Sequence, residues 1–268
     1  MSCWVRTMAD GPGLAVVTGA ARGIGAAVGV GLAGEGCSLL LIDACADQPG
    51  IGYAMPTGAD LEAVAERCLR AGAPDLELLR EDVAGEDFAR RLSRALAGRN
   101  AGVAVADAGV IAGGSAWATD QDAWSRMMEV NLHGTRRLAE ATVPGMVAAG
   151  RGRFVAIASA AALRAMPGLA AYSAAKAAVV GYVRALAADL AGSGVAANVI
   201  CPGSTRGAML SESAAVYDLP GQDAFADQHL LRRILEPDEI AAAVIWLCGP
   251  GASALTGAVI PVDGGLTS

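Results

Sequence analysis

Short apolar runs of strand length alternate with Ala-rich segments of helix length almost from end to end of this chain, and that alternation leaves few folds open. Parallel strands need a crossover between them, usually a helix, and strands covered on both faces read as near-continuous hydrophobic runs. Strands are expected at residues 14–18, 38–43, 76–80, 103–106, 153–159, 196–201 and 258–262. Helices are expected at 23–34, 60–71, 86–97, 120–149, 172–191 and 237–248, with Asp60 and Asp120 as N-caps. The expected fold class is therefore α/β: one doubly wound, seven-stranded parallel sheet with helices on both faces, in a single domain over residues 13–268. Residues 1–12 read as an irregular tail, within which Met8 is an alternative start to Met1. Two segments exceed ordinary loop lengths: 44–59, rich in Gly and Pro, and 204–230 after the sixth strand, read as a substrate lid.

Composition narrows the class of function. With 54% hydrophobic but only 4% aromatic residues, the core is built from Ala, Val and Leu, and disorder is excluded. A net charge of −7 with scattered arginines argues against a nucleic-acid surface. Six cysteines without a Cys-x-x-Cys spacing read as reduced thiols in a cytoplasmic setting. No apolar run reaches membrane-spanning length, no export signal is read, and the two histidines, His133 and His229, do not cluster, so no metal is expected.

Lys176 is the only lysine among twenty basic residues, and it lies four positions after Tyr172. Arginine and lysine are not interchangeable at a tight site, so Lys176 reads as chemical. On a helix, i and i+4 share a face, which sets the ammonium beside the phenol. A cation ~4 Å away at an effective dielectric of ~20 contributes about 4 kcal/mol, enough to lower a phenol pKa by about three pH units. Tyr172 is thereby expected to act as an acid or base.

A glycine turn follows the first strand, Thr18-Gly19-Ala20-Ala21-Arg22-Gly23-Ile24-Gly25, and opens a helix. Gly19, Gly23 and Gly25, with Arg22 and Ile24 between them, suit close approach of a pyrophosphate to the helix N-terminus. The second strand ends at Asp43, 24 residues after Gly19, where a carboxylate accepts hydrogen bonds from a ribose and repels a 2′-phosphate. NAD is therefore favoured over NADP, with Arg22 as the counter-argument. Asp82-Val83, after the third strand, are placed near an adenine.

With this turn, Asp43, the Ala108-Gly109 turn, Ser159 and Tyr172-x-x-x-Lys176 in this order, the chain resembles the short-chain dehydrogenase/reductase family over residues 13–268. Ser159, read as the end of the fifth strand, lies 13 residues before Tyr172, and Asn131 matches the fourth catalytic position. The resemblance implies a Rossmann-type fold with four roles. Tyr172 exchanges a proton with the substrate oxygen, Ser159 hydrogen-bonds that oxygen, Lys176 lowers the phenol pKa and holds the nicotinamide ribose, and Asn131 supports a water in a proton relay. It also implies contacts to NAD from Ala108, Gly109, Pro202, Gly203 and Thr205, and a homotetramer. Two positions depart from the family pattern. Asp107 stands where relatives carry an amide, and Gly207 stands where many carry a threonine that bonds the nicotinamide amide.

The insertion 44–59, with Tyr53 at its middle, and the stretch leading to Glu236-Pro237 are similar to those of the actinobacterial subgroup associated with mycofactocin. That similarity implies NAD held firmly enough to be re-oxidised in place by a separate carrier. The expected activity is NAD-dependent interconversion of a hydrophobic secondary alcohol and its ketone or aldehyde. Reduction of a 3-oxoacyl-(acyl carrier protein) thioester is the alternative enzyme reading, and a non-catalytic NAD-binding redox sensor is the alternative outside catalysis.

Overall fold

The computed structural model describes residues 13–268, so the N-terminal tail, including Met8 and Cys3, lies outside the described residues. Seven strands form one sheet in the order β3-β2-β1-β4-β5-β6-β7: β1 (Leu14–Thr18), β2 (Ser38–Asp43), β3 (Leu76–Arg80), β4 (Ala101–Ala106), β5 (Gly152–Ile157), β6 (Val195–Pro202) and β7 (Val259–Val262). Every neighbouring pair is parallel. The order reverses between β1 and β4, so the loops after those strands diverge and leave a crevice at their carboxyl ends, where ligands bind in such sheets. Two apolar layers cover the sheet. On one side α1 (Gly23–Gly34), α2 (Gly58–Ala71) and α8 (Pro237–Cys248) pack over Val17, Leu39, Leu41 and Ile200. On the other, α3 (Phe88–Leu96), α5 (Gly134–Ala148) and α6 (Ala170–Asp189) cover Val16, Ile42, Phe154 and Val199.

Local chemistry moves several boundaries. Helix α2 begins two residues earlier than its expected cap. Thr57, not Asp60, is the N-cap: its hydroxyl oxygen accepts from Asp60 N at 3.3 Å while the Asp60 carboxylate accepts from Thr57 N at 2.7 Å, a reciprocal capping box. Asp120 does cap α4 (Gln121–Met127), accepting from Asp122 N and Ala123 N.

The single helix expected over 120–149 is instead interrupted. Between α4 and α5 the turns widen into a π-helical segment, Met128–His133, where Gly134 N bonds to Glu129 O. Such a segment holds one more residue than an α-turn and commonly marks a functional position. Asn131 is in it.

Strand β5 stops at Ile157, short of its expected end at Ser159. Ser159 caps a 3-10 turn, Ala160–Ala162, with its oxygen accepting from Ala161 N at 3.1 Å. The lid is not irregular throughout: it contains α7 (Ala208–Val216) and a 3-10 segment, Gln222–Gln228, packed together through Leu210, Ala214, Tyr217 and Phe225. In α7 the apolar residues Met209, Leu210, Ala214, Ala215 and Val216 are spread round the helix and give no single stripe that would announce it. Among the described residues all five cysteines are free thiols, no group of acidic, histidine and cysteine side chains could hold a metal, and no helix is long and apolar enough to cross a membrane.

Candidate active site

The crevice is a cavity of about 800 Å³ at the carboxyl ends of the strands. It gathers Gly19, Arg22, Gly23, Ile24, Asp43, Asp82, Val83, Ala108, Gly109, Ser159, Tyr172, Lys176, Pro202, Gly203 and Thr205 in its wall. Of the candidate catalytic and cofactor-binding residues, Gly25 and Asn131 are not in the wall. Gly25 stands behind the turn: a Cβ on it would lie 2.7 Å from Asp107 Oδ2, 2.8 Å from Gly19 C and closer still to Gly19 O. Gly19 itself has φ +71°, and a Cβ there would meet Ala108 N at 2.7 Å. These two glycines let the first turn press against the loop after β4.

At the turn end, the residues fit a dinucleotide. Helix α1 has no side-chain cap and no acidic residue in its first turn, and Gly23 and Ile24, whose amides open the helix, line the cavity. A Cβ on Gly23 would meet nothing within 4 Å, which leaves space for a phosphate in front of those amides. The Asp43 carboxylate is oriented by Ala21 N and Cys45 N, each at 3.1 Å. Arg22 points elsewhere than a 2′-phosphate would require: its guanidinium donates to Ala54 O at 2.8 Å, contacts Met55 Sδ at 3.5 Å and covers the Tyr53 ring at 5.5 Å. Asp82 pairs with Arg126 and accepts from Ala84 N at 2.9 Å.

At the other end stand Ser159, Tyr172 and Lys176. Tyr172 is 8% exposed, and the Ser159 side chain hydrogen-bonds its phenol. Lys176 is 3% exposed, with Nζ donating to Ile157 O at 2.9 Å and 5.8 Å from the centroid of the Tyr172 ring. The expected lowering of the phenol pKa is not what this arrangement produces. Burial pushes the Tyr172 phenol up, the Ser159 hydrogen bond opposes it, and Tyr53, Asp107 and Cys201 push further up. Burial in turn lowers Lys176, and Asp107 opposes that shift. Desolvation decides the direction, and the ammonium is turned to the Ile157 carbonyl. Tyr172 rests as a protonated phenol.

Asn131 is fully buried and serves the backbone. Its Nδ2 donates to Val110 O and Met127 O, both at 2.9 Å, and its Oδ1 accepts from Val110 N at 3.3 Å. It thus ties the loop after β4 to the widened helical turn. Thr205 Oγ1 donates to Gly203 O at 3.1 Å, and Gly207 adopts φ +153° at the start of α7.

Sequence reasoning did not name the walls of the substrate end. Met166, Leu169, Met209, Leu210 and Phe225 make it apolar, and Tyr217 closes it by donating from its hydroxyl to Pro167 O at 2.7 Å while stacking edge-on against Phe225. Only the apolar i, i+4 pair Leu210 and Ala214 hinted at this. The insertion contributes Gln48 and Met55 to the wall, and Tyr53 Oη accepts from Ile111 N at 3.3 Å. His229 is 1% exposed and accepts from Ser204 N at 3.1 Å, anchoring the far end of the lid.

This fold and site define a Rossmann-type α/β protein in which Ser159, Tyr172 and Lys176 share one cavity with a glycine turn. The family model described as "Enoyl-(Acyl carrier protein) reductase" matches residues 19–267. An uncharacterized NAD-dependent oxidoreductase of Mycobacterium tuberculosis is 37% identical, covering 94% of each chain. The 2-(S)-hydroxypropyl-CoM dehydrogenase 3 of Xanthobacter autotrophicus is 34% identical over 94% of this chain and 95% of its own. Carveol dehydrogenase from Mycobacterium avium, solved with NAD, is similar with a TM-score of 0.89 at 28% identity, covering 95% of this chain and 97% of that one. The chain belongs to the short-chain dehydrogenase/reductase family.

Proposed function

We propose that this protein is an NAD-dependent oxidoreductase that interconverts a hydrophobic secondary alcohol and its ketone or aldehyde. One observation carries the reading: Ser159, Tyr172 and Lys176 open on the same cavity as the uncapped α1 terminus and Asp43, with apolar walls beyond them. Bound NAD supplies the hydride acceptor. The chain supplies the rest. Ser159 Oγ accepts from Ala161 N, and its proton, given to the Tyr172 phenol, would pass to a substrate oxygen seated beside both. Tyr172 gives a proton to that oxygen in reduction and takes one in oxidation, where a charged Lys176 would offset part of the burial that disfavours the ionised phenol. A relay role for Asn131 would fall to the second lone pair of its Oδ1. Tyr172→Phe should reduce turnover by about 10²–10⁴-fold while NAD binding is retained; turnover equal to the parent's overturns the assignment.

Three arginines line the cavity, and each is engaged: Arg22 by the insertion, Arg164 by Leu266 O at 2.8 Å, and Arg206 by Glu236 at 2.9 Å and Asp223 at 3.3 Å. A carrier phosphate would need them free, which favours a free alcohol over an acyl-carrier thioester.

The finer reading is that NAD is held firmly and recycled by mycofactocin. Its support is the insertion, which reaches from Arg22 across to Ile111 and α4, where a Cβ on Gly50 would lie 2.7 Å from Ala123 N. Denaturing gently purified protein and assaying the released small molecules for NAD(H) tests it; their absence overturns the firm hold and leaves the dehydrogenase reading standing. A homotetramer is supported by the half-buried apolar side chains of edge strand β7, and a cytoplasmic setting by the free thiols. Light scattering on the purified protein checks the first.

A further inference from the structure

The proton chemistry above leaves Asp107 without a task, although the residue lies in the wall of the same cavity. Asp107 follows the last residue of β4, and its backbone N–H donates to Thr18 Oγ1 at 3.3 Å. Its carboxyl accepts from the Gly25 N–H, close enough that a Cβ on Gly25 would lie 2.7 Å from Oδ2. Lys176 Nζ comes to the same loop, 3.3 Å from where a Cβ on Gly109 would stand. The hydrogen bond it makes is to an uncharged carbonyl, Ile157 O. An ammonium so placed has lost most of its water and needs a countercharge to remain protonated.

We propose that Asp107 is a positioning residue of the active site, whose carboxylate keeps Lys176 in its charged form and links that charge to the glycine turn through the Gly25 amide. The inference rests on the reading of Lys176 as the group that favours the ionised Tyr172. Burial drives the two groups toward neutrality, Asp107 upward and Lys176 downward, and each opposes the other's shift. The other titratable groups that face them do not replace Asp107. Asp43, from β2, acts on Asp107 and raises it further. Cys201, from β6, faces Lys176, but burial pushes its thiol up to about 11, so it is neutral near pH ~7. Tyr172 and Tyr53, from α6 and the insertion, are both pushed up by burial and are neutral as well.

Because the chain has one lysine, protein grown with ¹³C-labelled lysine gives a single Cε resonance, and its titration reads Lys176 without substrate or turnover. The parent should titrate in two steps, one of them following Asp107, as interacting sites do. Asp107→Asn retains an oxygen for the Gly25 amide but no charge. It should leave one step, with the midpoint lower by about one pH unit or more, a tenfold loss of proton affinity. Superimposable curves for parent and variant overturn the proposal. Should the variant not fold, the parent alone decides: a single step with no inflection from Asp107 overturns it equally. A resonance read without turnover also keeps this result separate from any failure of the dehydrogenase reading.

Discussion

Replacing Gly25 with alanine sets two effects of opposite sign against each other. Gly25 lies within α1 at negative φ, so helix propensity alone favours alanine by about 1 kcal/mol. The added methyl would stand 2.8 Å from Gly19 C and 2.7 Å from Asp107 Oδ2, and closer still to Gly19 O. Ordinary separations between such atoms are about 3.5 Å or more, so the glycine turn must retreat by roughly 1 Å. Both partners of the clash are held, Gly19 by its left-handed turn against Ala108 and Asp107 by Thr18. Overpacking of this kind costs about 1–3 kcal/mol, and a backbone neighbour puts it at the upper end. The net loss is therefore about 2 kcal/mol, or roughly 4–8 °C in Tm for a chain of this size. Displacing the turn also moves it from the place where a pyrophosphate is received, so NAD affinity should fall at least tenfold. Gly34→Ala, in the same helix with nothing within 4 Å of its Cβ, is the control and should be neutral or slightly stabilising. Thermal melts with and without NAD, together with calorimetric titration, separate the two terms. A Gly25→Ala protein that melts and binds NAD like the parent refutes the close-approach argument.

Other outcomes follow from single contacts. Arg22→Met removes the hydrogen bond to Ala54 O and the cation over Tyr53, and should speed NAD release several-fold in a trapping assay with little change in Tm. Buried His229 is held neutral, its pKa pushed down by desolvation, so its contribution is complete above its ordinary value of 6.5 and declines as pH falls below it. His229→Gln should flatten that part of the Tm–pH curve. Glu239 is lowered to about 2, first by Arg233 and then by the Glu236 amide it accepts from. Its contribution, reduced by solvent screening, is present above the ordinary 4.5 and lost as pH falls through about 2, so Glu239→Gln should lessen acid sensitivity in that window.

Much of this was legible in the order of residues. Strand periodicity, the glycine turn, Asp43 and the Tyr172–Lys176 spacing are local patterns: the first leads to the observed sheet, and the others name residues that line one cavity. What spacing could not convey was solvation. The ammonium and phenol do share a helix, but only the depth of the cavity and the Ile157 carbonyl decide that burial outweighs their attraction. The Thr57 cap was missed because Asp60 also bonds a backbone amide, in the reverse sense. Helix α7 and the apolar wall arise from packing between lid segments that fold back on each other, such as Leu210 against Phe225, a contact that helical or strand periodicity does not encode.

The widened turn around Asn131 has a consequence for the long helical run that holds it. Holding an additional residue, it advances everything downstream by about 100° relative to an unbroken helix. The first part can thereby offer Ala123 to the insertion while the second turns Leu138 and Met146 into the core. Deleting one residue from 128–133 would straighten the run but swing either half off its partner.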